Sequence, residues 1–280
     1  MLQKTSLLIL LFVVIQQNKN NMFISIIHNL YKRNPHVRDS VRYNILALEE
    51  SKIDYQYILF NDKGDKEIYD DVKDILNNNT EYYYSKQNYG KGKGTGGWLG
   101  ALPLVKGDII HNMGQDDVFT KEFYIQAKEA FKNKDIMFFS CNGMYADDDL
   151  NQKGPMIYIE HKPDYSKPLD IFQGWFGIQN NIITRTNNGL LAPGTLYRIE
   201  LHELIGKPEP HNFGGACDFE YWSRILFNEY KGYYENMPMW LYRVSEFSTS
   251  QQENDFKNNI APNQQKIKEK YQKLWSEKMQ

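Results

Sequence analysis

The chain has 280 residues, of which 41% are hydrophobic and 24% are charged, as is ordinary for a globular enzyme with one large core. Its formal net charge of −2 leaves no general basic field, so we expect no nucleic acid among its partners. Its two cysteines exclude a disulfide framework and favour a reducing compartment, the cytoplasm.

The N-terminal segment 1–21 is an apolar extension. Its apolar run, Leu7 to Ile15, is short for a membrane span, and no small-residue cleavage site follows it. A weak signal peptide, a short membrane anchor and an extension upstream of the true start all fit this pattern. Because Met22 opens "MFISIIHN", a good first strand for a soluble enzyme, we favour the third interpretation. Membrane association through this segment stays an alternative.

The stretch from Phe23 to about Asp147 alternates predicted strands with predicted helices. Phe23 to Ile27 is a continuous apolar run, typical of a strand covered on both faces, and the helix that begins at Pro35 has one apolar stripe. This alternation predicts a mostly parallel sheet, whose ligands lie beyond the carboxyl ends of its strands. The other predicted elements are strands in "DYQYILFND", "TEYYYS", "GDIIHNMG" and "DIMFFSC", and helices over Glu67–Leu76, in "WLGALPLV" and around Phe123–Phe131.

The second half of the chain shows loops and short segments, with one clear helix over Asp218–Tyr230. A further amphipathic helix is predicted over Asn263–Gln280. We therefore expect one domain over residues 22–250 and an amphipathic helical tail over residues 251–280. The lysines of this tail could contact an anionic membrane surface, although docking on the domain's own surface is the commoner outcome.

A glycine run, "GKGKGTGG" from Gly90 to Gly97, contains a literal GxGxxG. A dinucleotide fingerprint needs an apolar strand before the run and an uninterrupted helix after it, whereas here "EYYYSKQNY" precedes the run and Pro103 follows it. A GxxxxGK[ST] phosphate loop cannot be drawn either. Two interpretations are better supported than an NAD- or SAM-dependent enzyme: a flexible loop, or a loop that holds Lys91 and Lys93 near a substrate phosphate.

An acidic pair, Asp116 and Asp117, follows the fourth predicted strand. Carboxylates at a strand end are suitable ligands for Mg²⁺ or Mn²⁺, hard cations that prefer oxygen. Asn61 and Asp62 end the second predicted strand, so both polar ends are expected in one crevice at the edge of the sheet. For the pair alone, the alternative is a turn with solvated aspartates. We interpret the three aspartates at 147–149 as such a turn.

Six segments between Phe23 and about Ser250 resemble the motifs of glycosyltransferase family 2 and follow the order of that family. Together they form a fairly specific pattern. The segments are "FISIIHNLYKRNPHVRDSVRYNILAL", "YILFNDKGD", "QNYGKGKGTGGWLGALPLVKGDIIHNMGQDD", "APGTLYRIELHELIG", "CDFEYWSRI" and "MPMWLYRVSEFSTS".

The resemblance implies a GT-A fold, a three-layer α/β/α sandwich with a mostly parallel central sheet. It also implies an inverting, metal-dependent transferase of hexosyl or N-acetylhexosaminyl type. Such an enzyme moves a sugar from a nucleotide-sugar, with UDP the expected nucleotide, to a hydroxyl of a glycan or another acceptor. Mn²⁺ or Mg²⁺ would be the cofactor.

The resemblance also implies roles for individual residues. Asp218 matches the general base, although a helix-start aspartate is most often an N-cap. Asp116 matches the metal-binding acid of the DxD motif, with Asp117 beside it. Gly114 stands at the first acid of that motif and Cys217 at a common glutamate. Both departures favour the main alternative, a non-catalytic carbohydrate- or nucleotide-binding module on the same fold. The expected nucleotide-binding residues are Asn29, Asn61, Asp62, Lys91, Lys93 and Arg243, with Asp62 on the base and Arg243 over the diphosphate.

The acceptor site is the least constrained part of the sequence. Trp175 lies in an aromatic, amide-rich stretch suited to stacking on sugar rings, and Trp222 lies on the helix of the proposed base. His211 precedes the same helix and could approach the metal or the acceptor. The alternatives are core packing for both tryptophans and a surface loop for the histidine.

Overall fold

The computed structural model describes residues 22–90, 96–156, 163–245 and 256–280, so the N-terminal segment 1–21 lies outside the described residues. The strands are β1 (Phe23–Leu30), β2 (Asp54–Asn61), β3 (Thr80–Tyr84), β4 (Ile109–Met113), β5 (Val118–Phe119), β6 (Phe138–Cys141), β7 (Met144–Ala146), β8 (Gln152–Pro155), β9 (Ile178–Gln179), β10 (Ile182–Ile183), β11 (Thr195–Arg198), β12 (Gly232–Glu235) and β13 (Trp240–Arg243).

The helices are α1 (Val37–Ser51), α2 (Ile68–Val72), α3 (Gly96–Ala101), α4 (Lys121–Phe131), α5 (Pro168–Phe176), α6 (Leu201–Leu204), α7 (Pro210–Phe213), α8 (Cys217–Phe227) and α9 (Ala261–Lys278). Short 3₁₀ turns follow α3 over Leu102–Leu104 and precede α8 over Gly214–Ala216, and a π-helical turn over Phe256–Ile260 leads into α9.

The central sheet has the strand order β12–β6–β11–β4–β1–β2–β3. Only β11 pairs antiparallel with its neighbours, β4 and β6, and the other pairings described in this sheet are parallel. The apolar run of β1 explains its central place, because Ile24, Ile26 and Ile27 are fully buried, as expected for a parallel strand covered on both faces.

Helices cover both faces of this sheet. On one face, α1 and α4 pack together over an apolar cluster that includes Ile26 and Phe123. On the other face, a second cluster joins Ile27 of the sheet to Trp98 of α3 and Trp222 of α8. A mostly parallel sheet between two helical layers is a three-layer α/β/α sandwich, and the predicted fold class is confirmed.

Two helices differ from the sequence prediction in length. The helix expected over Glu67–Leu76 is the shorter α2, which ends at Val72. Asn77 then forms the turn that leads into β3: its Oδ1 accepts hydrogen bonds from Asn79 N at 3.0 Å and Thr80 Oγ1 at 2.7 Å. Helix α3 ends at Ala101 and continues as a 3₁₀ turn that contains Pro103, which cannot supply the amide of an α-helical hydrogen bond.

A second, four-stranded sheet has the order β5–β13–β7–β8. β13 pairs antiparallel with β5, with Leu241 opposite Val118, and parallel with β7, with Arg243 opposite Ala146. This pairing brings the first residues of β13 to the strand that follows the acidic pair, with Arg243 two residues further along β13. The sheet therefore joins two segments that lie more than a hundred residues apart in the sequence.

Helix α9 docks on the domain. Ile267, Tyr271 and Trp275 are buried, and their rings and side chains join the cluster that contains Phe172 and Phe227. Tyr271 lies 5.3 Å from Phe172 and 5.6 Å from Phe227, measured between ring centroids. Within the described ranges, no helix combines the length and the apolar character needed to cross a bilayer.

Candidate active site

The acidic pair lies at the carboxyl end of β4, where the chain turns into β5. The backbone of this turn is fixed from α1: Ser40 Oγ and Asn44 Nδ2 donate to Asp117 O at 2.5 and 2.9 Å, and Phe119 N donates to Asn44 Oδ1 at 2.8 Å. Because these bonds hold the main chain directly after the pair, the two carboxylates have a fixed backbone support. Sequence reasoning did not find Ser40 and Asn44.

The two carboxylates have different surroundings. Asp117 is buried, with 2% of its surface exposed, and its Oδ2 accepts from Gly114 N at 3.1 Å. Asp116 is partly exposed and its Oδ2 accepts from Asn34 Nδ2 at 3.2 Å. Burial raises the pKa of both carboxyl groups, and the nearby charge of Asp116 raises the pKa of Asp117 further. A pair of this kind needs a positive partner in order to carry two full charges.

Two buried acceptor oxygens at this edge have no hydrogen-bond partner among the described residues: Asp117 Oδ1 and Asn29 Oδ1. A buried acceptor without a partner is costly, and carboxylate oxygens are the ligands that Mg²⁺ and Mn²⁺ prefer. The donor set thus fits a hard cation held by few protein ligands and completed by a phosphate. In the described part of the chain, no group of three or more His, Cys, Asp or Glu side chains could hold a metal on its own.

Asn29 lies at the end of β1, half-buried between β4 and α3. Its Nδ2 donates to Asn112 Oδ1 at 2.8 Å and to Met113 O at 2.7 Å, which ties the end of β1 to the strand of the acidic pair. A Cβ at Gly97 would lie 2.5 Å from Asn29 Oδ1, so only glycine allows α3 to approach β1 this closely. Asn29 is thus tied to the strand that leads into the acidic pair, and its predicted contact with a nucleotide stays a prediction.

Asp62 follows β2 and binds the start of the glycine run. Its Oδ1 and Oδ2 accept from Tyr89 N at 2.8 Å and Gly90 N at 2.9 Å, and only 6% of the residue is exposed. Burial raises the pKa of Asp62, and these two backbone bonds and the charge of His211 oppose that rise. The carboxylate therefore anchors the glycine run beside the strand ends.

Asn61 has a structural role in the same turn. It is fully buried, its Nδ2 donates to Asp65 O and Tyr82 OH, and its Oδ1 accepts from Gly64 N at 2.7 Å. These bonds use its amide to shape the turn after β2. Its burial argues against the predicted direct contact with a nucleotide.

The ends of the glycine run lie against each other. A Cβ at Gly96 would lie 1.8 Å from Gly90 N, so the close contact between these two ends requires glycine at position 96. The run follows β3, not β1, and α3 is six residues long, so the arrangement departs from a dinucleotide fingerprint. Lys91 and Lys93 lie outside the described residues, and their assignment to a phosphate site stays a prediction.

Arg243 lies beside the acidic pair at the end of β13. The residue is 2% exposed, and its Nη1 donates to Asp148 O. Burial lowers the pKa of this guanidinium, and the charges of Asp116, Asp39 and Asp148 oppose that effect. His36 Nε2 lies 3.2 Å from Asp148 Oδ1. The turn around Asp148, interpreted from the sequence as solvated, thus contacts the predicted site.

Asp218 is the second residue of α8 and is partly exposed. The N-cap of α8 is Ala216, which offers no side-chain cap, so Asp218 is not the N-cap residue. Burial raises the pKa of Asp218 to about 6, and the nearby backbone amides of Asp218 and Phe219 oppose the rise. A carboxyl group with this pKa is mostly ionised at neutral pH and close to the range expected of a general base.

The face of α8 that carries Asp218 packs on α3. Tyr221 and Trp222, one turn after Asp218, contact Trp98 with ring centroids 5.5 and 5.8 Å apart, and Trp98 follows directly after Gly97. Helix α7 also contacts α3. Helix α8 thus packs on the helix whose first residues touch Asn29, and the predicted role of Asp218 as the base stays a prediction.

The predicted acceptor residues have different positions. Trp222 is 1% exposed within the Trp98 cluster, and Trp175 is 6% exposed and packs on Phe219 at 6.2 Å. Their burial argues against stacking on a sugar, because neither ring has an open face. His211 is exposed on α7, near enough to Asp62 to stabilise its charge.

The comparisons with known proteins show the fold. No family model and no curated protein matches the sequence. S. aureus TarS 1-349 in complex with UDP-GlcNAc has a TM-score of 0.54 at 14% identity, over 81% of this chain and 60% of that chain. TarS 1-349 with UDP gives 0.51 at 15%, over 80% and 61%. The mannosyltransferase PcManGT from Pyrobaculum calidifontis with GDP-Man and Mn²⁺ gives 0.55 at 11%, over 81% and 59%.

At these sequence identities, the similarity shows a shared fold only. The chain spans about 60% of the length of the TarS 1-349 chains and 59% of the PcManGT chain. The shared architecture is the GT-A type sandwich that the sequence predicted.

Proposed function

We propose that this protein is a metal-dependent, inverting glycosyltransferase that moves a sugar from a nucleotide-sugar, with UDP as the preferred nucleotide, to a hydroxyl acceptor such as a glycan. The observation that carries the proposal is the acidic pair at the end of β4 on a GT-A type sheet, with Asn29 bound to that strand and Arg243 beside the pair. The nucleotide-sugars in the TarS and PcManGT structures support a donor of this class.

In this proposal Asp218 is the general base. Its carboxylate takes the proton of the acceptor hydroxyl while the acceptor oxygen forms a bond to the anomeric carbon of the sugar. The bond from that carbon to the phosphate oxygen breaks, and its electron pair leaves with the nucleoside diphosphate. Because attack and departure occur on opposite sides of one carbon, the product has the inverted configuration.

Asp116 and Asp117 are the residues that would hold Mn²⁺ or Mg²⁺. When bound, such a cation supplies positive charge to the departing diphosphate. Arg243 adds a permanent positive charge beside the same two carboxylates. Asn29 ties β1 to β4, the strand that leads into them. Asp62 holds the glycine run through Tyr89 and Gly90, and its carboxylate oxygens can each accept one further hydrogen bond from a base.

A non-catalytic carbohydrate- or nucleotide-binding module on the same fold is the second candidate. Gly114 in place of the first acid of the DxD motif favours it, because metal binding then depends on two adjacent carboxylates. The raised pKa of Asp218 favours the enzyme, since a binding module has no need of a carboxyl group close to neutral pH.

The test is a panel of UDP- and GDP-sugars, each with Mn²⁺, with Mg²⁺ and with a chelator, scored for release of the nucleoside diphosphate. We expect cation-dependent release from at least one UDP-sugar, increased by a suitable acceptor. NMR of the product should show the inverted anomeric configuration. Binding of a nucleotide-sugar by calorimetry without release under any condition would favour the module, and retained configuration would contradict the mechanism.

A further inference from the structure

A fully buried carboxylate, Glu220, lies two residues after Asp218 on α8. Two of its partners come from α9: Lys270 Nζ lies 2.6 Å from Glu220 Oε1, and Tyr271 OH donates to the same oxygen at 3.3 Å. A buried charge is tolerated only when it is fully paired and hydrogen-bonded. The C-terminal helix therefore supplies part of the charge and hydrogen bonding that this position of α8 requires.

The same carboxylate reaches the loop before α7 through Arg224. Arg224 Nε donates to Glu220 Oε1 at 3.1 Å, while its Nη1 donates to Ile205 O at 2.9 Å and Lys207 O at 3.1 Å. The ion cluster of Glu220, Arg224 and Lys270 thus connects α9, α8 and the loop that enters the turn before Asp218. The side chains of Glu220 and Arg224 are 0% and 11% exposed, so water screens the pair weakly.

A second contact holds the chain before Asp218. Asn259, in the π-helical turn that precedes α9, accepts from Gly215 N through its Oδ1 at 3.2 Å. Asn263 Nδ2 in turn donates to Asn259 O at 2.6 Å. Gly214 has a φ of +49°, and a Cβ there would lie 2.3 Å from Asn259 Oδ1, so the turn and the asparagine fit together closely.

Asp218 lies between these two contacts, three residues after Gly215 and two before Glu220. It is the second residue of α8 and its carboxylate lies near the backbone amides of Asp218 and Phe219, so its position depends on the backbone at the start of this helix. We propose that Asn259, Lys270 and Tyr271 are positioning residues for Asp218, through which the C-terminal segment fixes the backbone on both sides of this carboxylate. This inference rests on the proposed function, because it assigns the segment a part in the transfer step.

The test compares Lys270→Met and Asn259→Ala with the control Lys273→Met, which removes the same charge from an exposed position of the same helix. Lys270→Met leaves Arg224 and Tyr271 on Glu220, and Lys270 itself is one-third exposed, so we expect this variant to fold. The measurements are kcat and KM for the donor, UDP affinity by calorimetry, and amide hydrogen exchange of residues 213–220 by mass spectrometry.

For both variants we expect kcat to fall by about 10- to 100-fold, since small displacements of a reacting group have effects of this size. The donor KM and the UDP affinity should stay within about twofold, because the donor half of the site is built on β1 and β4. Exchange at 213–220 should become about tenfold faster. Lys270→Arg should restore most of kcat, and Lys273→Met should match the unmodified protein.

Unchanged kcat and unchanged exchange in Lys270→Met would overturn the proposal. So would an equal loss of kcat and UDP affinity together with a lower melting temperature, which is the signature of general destabilisation. If the unmodified protein transfers no sugar, the proposed function fails, and exchange alone decides the positioning: faster exchange at 213–220 supports it and unchanged exchange refutes it. If Asn259→Ala does not fold, Lys270→Met and its Lys270→Arg rescue decide.

Discussion

Asp218→Asn is the substitution that most directly separates a functional carboxylate from a structural one. Asparagine keeps the size of the side chain and one oxygen that can face the nearby backbone amides of Asp218 and Phe219. It removes the charge and the ability to take a proton. If Asp218 is the base, the variant should lose sugar transfer by about 10²- to 10⁴-fold and keep its affinity for UDP.

The same substitution should make the protein more stable. Burial raises the pKa of Asp218 from its ordinary 3.8 to about 6, so the folded state binds this proton more tightly than the unfolded chain does. The charged carboxylate therefore costs stability: the cost is absent below pH 3.8 and fully present above about pH 6. At about 1.4 kcal/mol per pH unit, the cost at pH 8 is at most about 3 kcal/mol. For a chain of this size that corresponds to a rise in Tm of up to about 6–10 °C.

The assay is a pair of thermal melts, at pH 8 and pH 4, together with kcat for the donor at pH 8. Asp135→Asn, an exposed carboxylate after α4, is the matched control and should melt like the unmodified protein. A melting temperature of Asp218→Asn at or below that of the unmodified protein at pH 8 would refute the electrostatic reasoning. A gain in melting temperature over the unmodified protein that is as large at pH 4 as at pH 8 would refute it as well. Near-normal turnover would remove Asp218 from the role of base.

Three further predictions concern the sheet and its edge. Asp116→Ala should abolish cation-dependent release of the diphosphate, and full activity of the unmodified protein in chelator would make the acidic pair structural. His28 and His111 are fully buried, and burial lowers their pKa from 6.5 to about 4 and about 3. The unfolded chain therefore binds protons first, and unfolding in urea should show about 2 kcal/mol lost per histidine between pH 6.5 and pH 5; a flat profile would contradict this. Gly97→Ala places a methyl group 2.5 Å from Asn29 Oδ1 and should cost about 1–3 kcal/mol in urea unfolding, whereas unchanged stability would show that Asn29 moves freely.

The central sheet was predictable because several of its strands can be recognised from their local sequence. The continuous apolar runs of β1 and β2 have the composition of strands buried on both faces, and the polar residues directly after β2 and β4 marked the edge that holds Asp62 and Asp116. The structure adds β11 and β12 to the predicted strands of this sheet, and it ends α2 at Val72, before the local turn that Asn77 forms into β3.

The rest of the site depends on contacts that the sequence does not encode locally. Strands of two to four residues, such as β5 and β13, are too short to show a periodicity, so their pairing and the resulting place of Arg243 were not predictable in detail. The support of Asp117 O by Ser40 and Asn44 comes from residues more than 70 positions away. Trp222 is buried because it packs on Trp98. The helical pattern of the sequence does not show which residue a side chain will pack on.

The glycine run explains how the two halves of the site are joined. Asp62, after β2, holds Gly90 through a hydrogen bond, Gly96 lies against Gly90, and Gly97 lies on Asn29 at the end of β1. The next residue, Trp98, packs on α8 one turn after Asp218. A displacement of α3 would therefore act on both the strand ends and the proposed base. Gly96 and Gly97 are required by this close packing against Gly90 and Asn29.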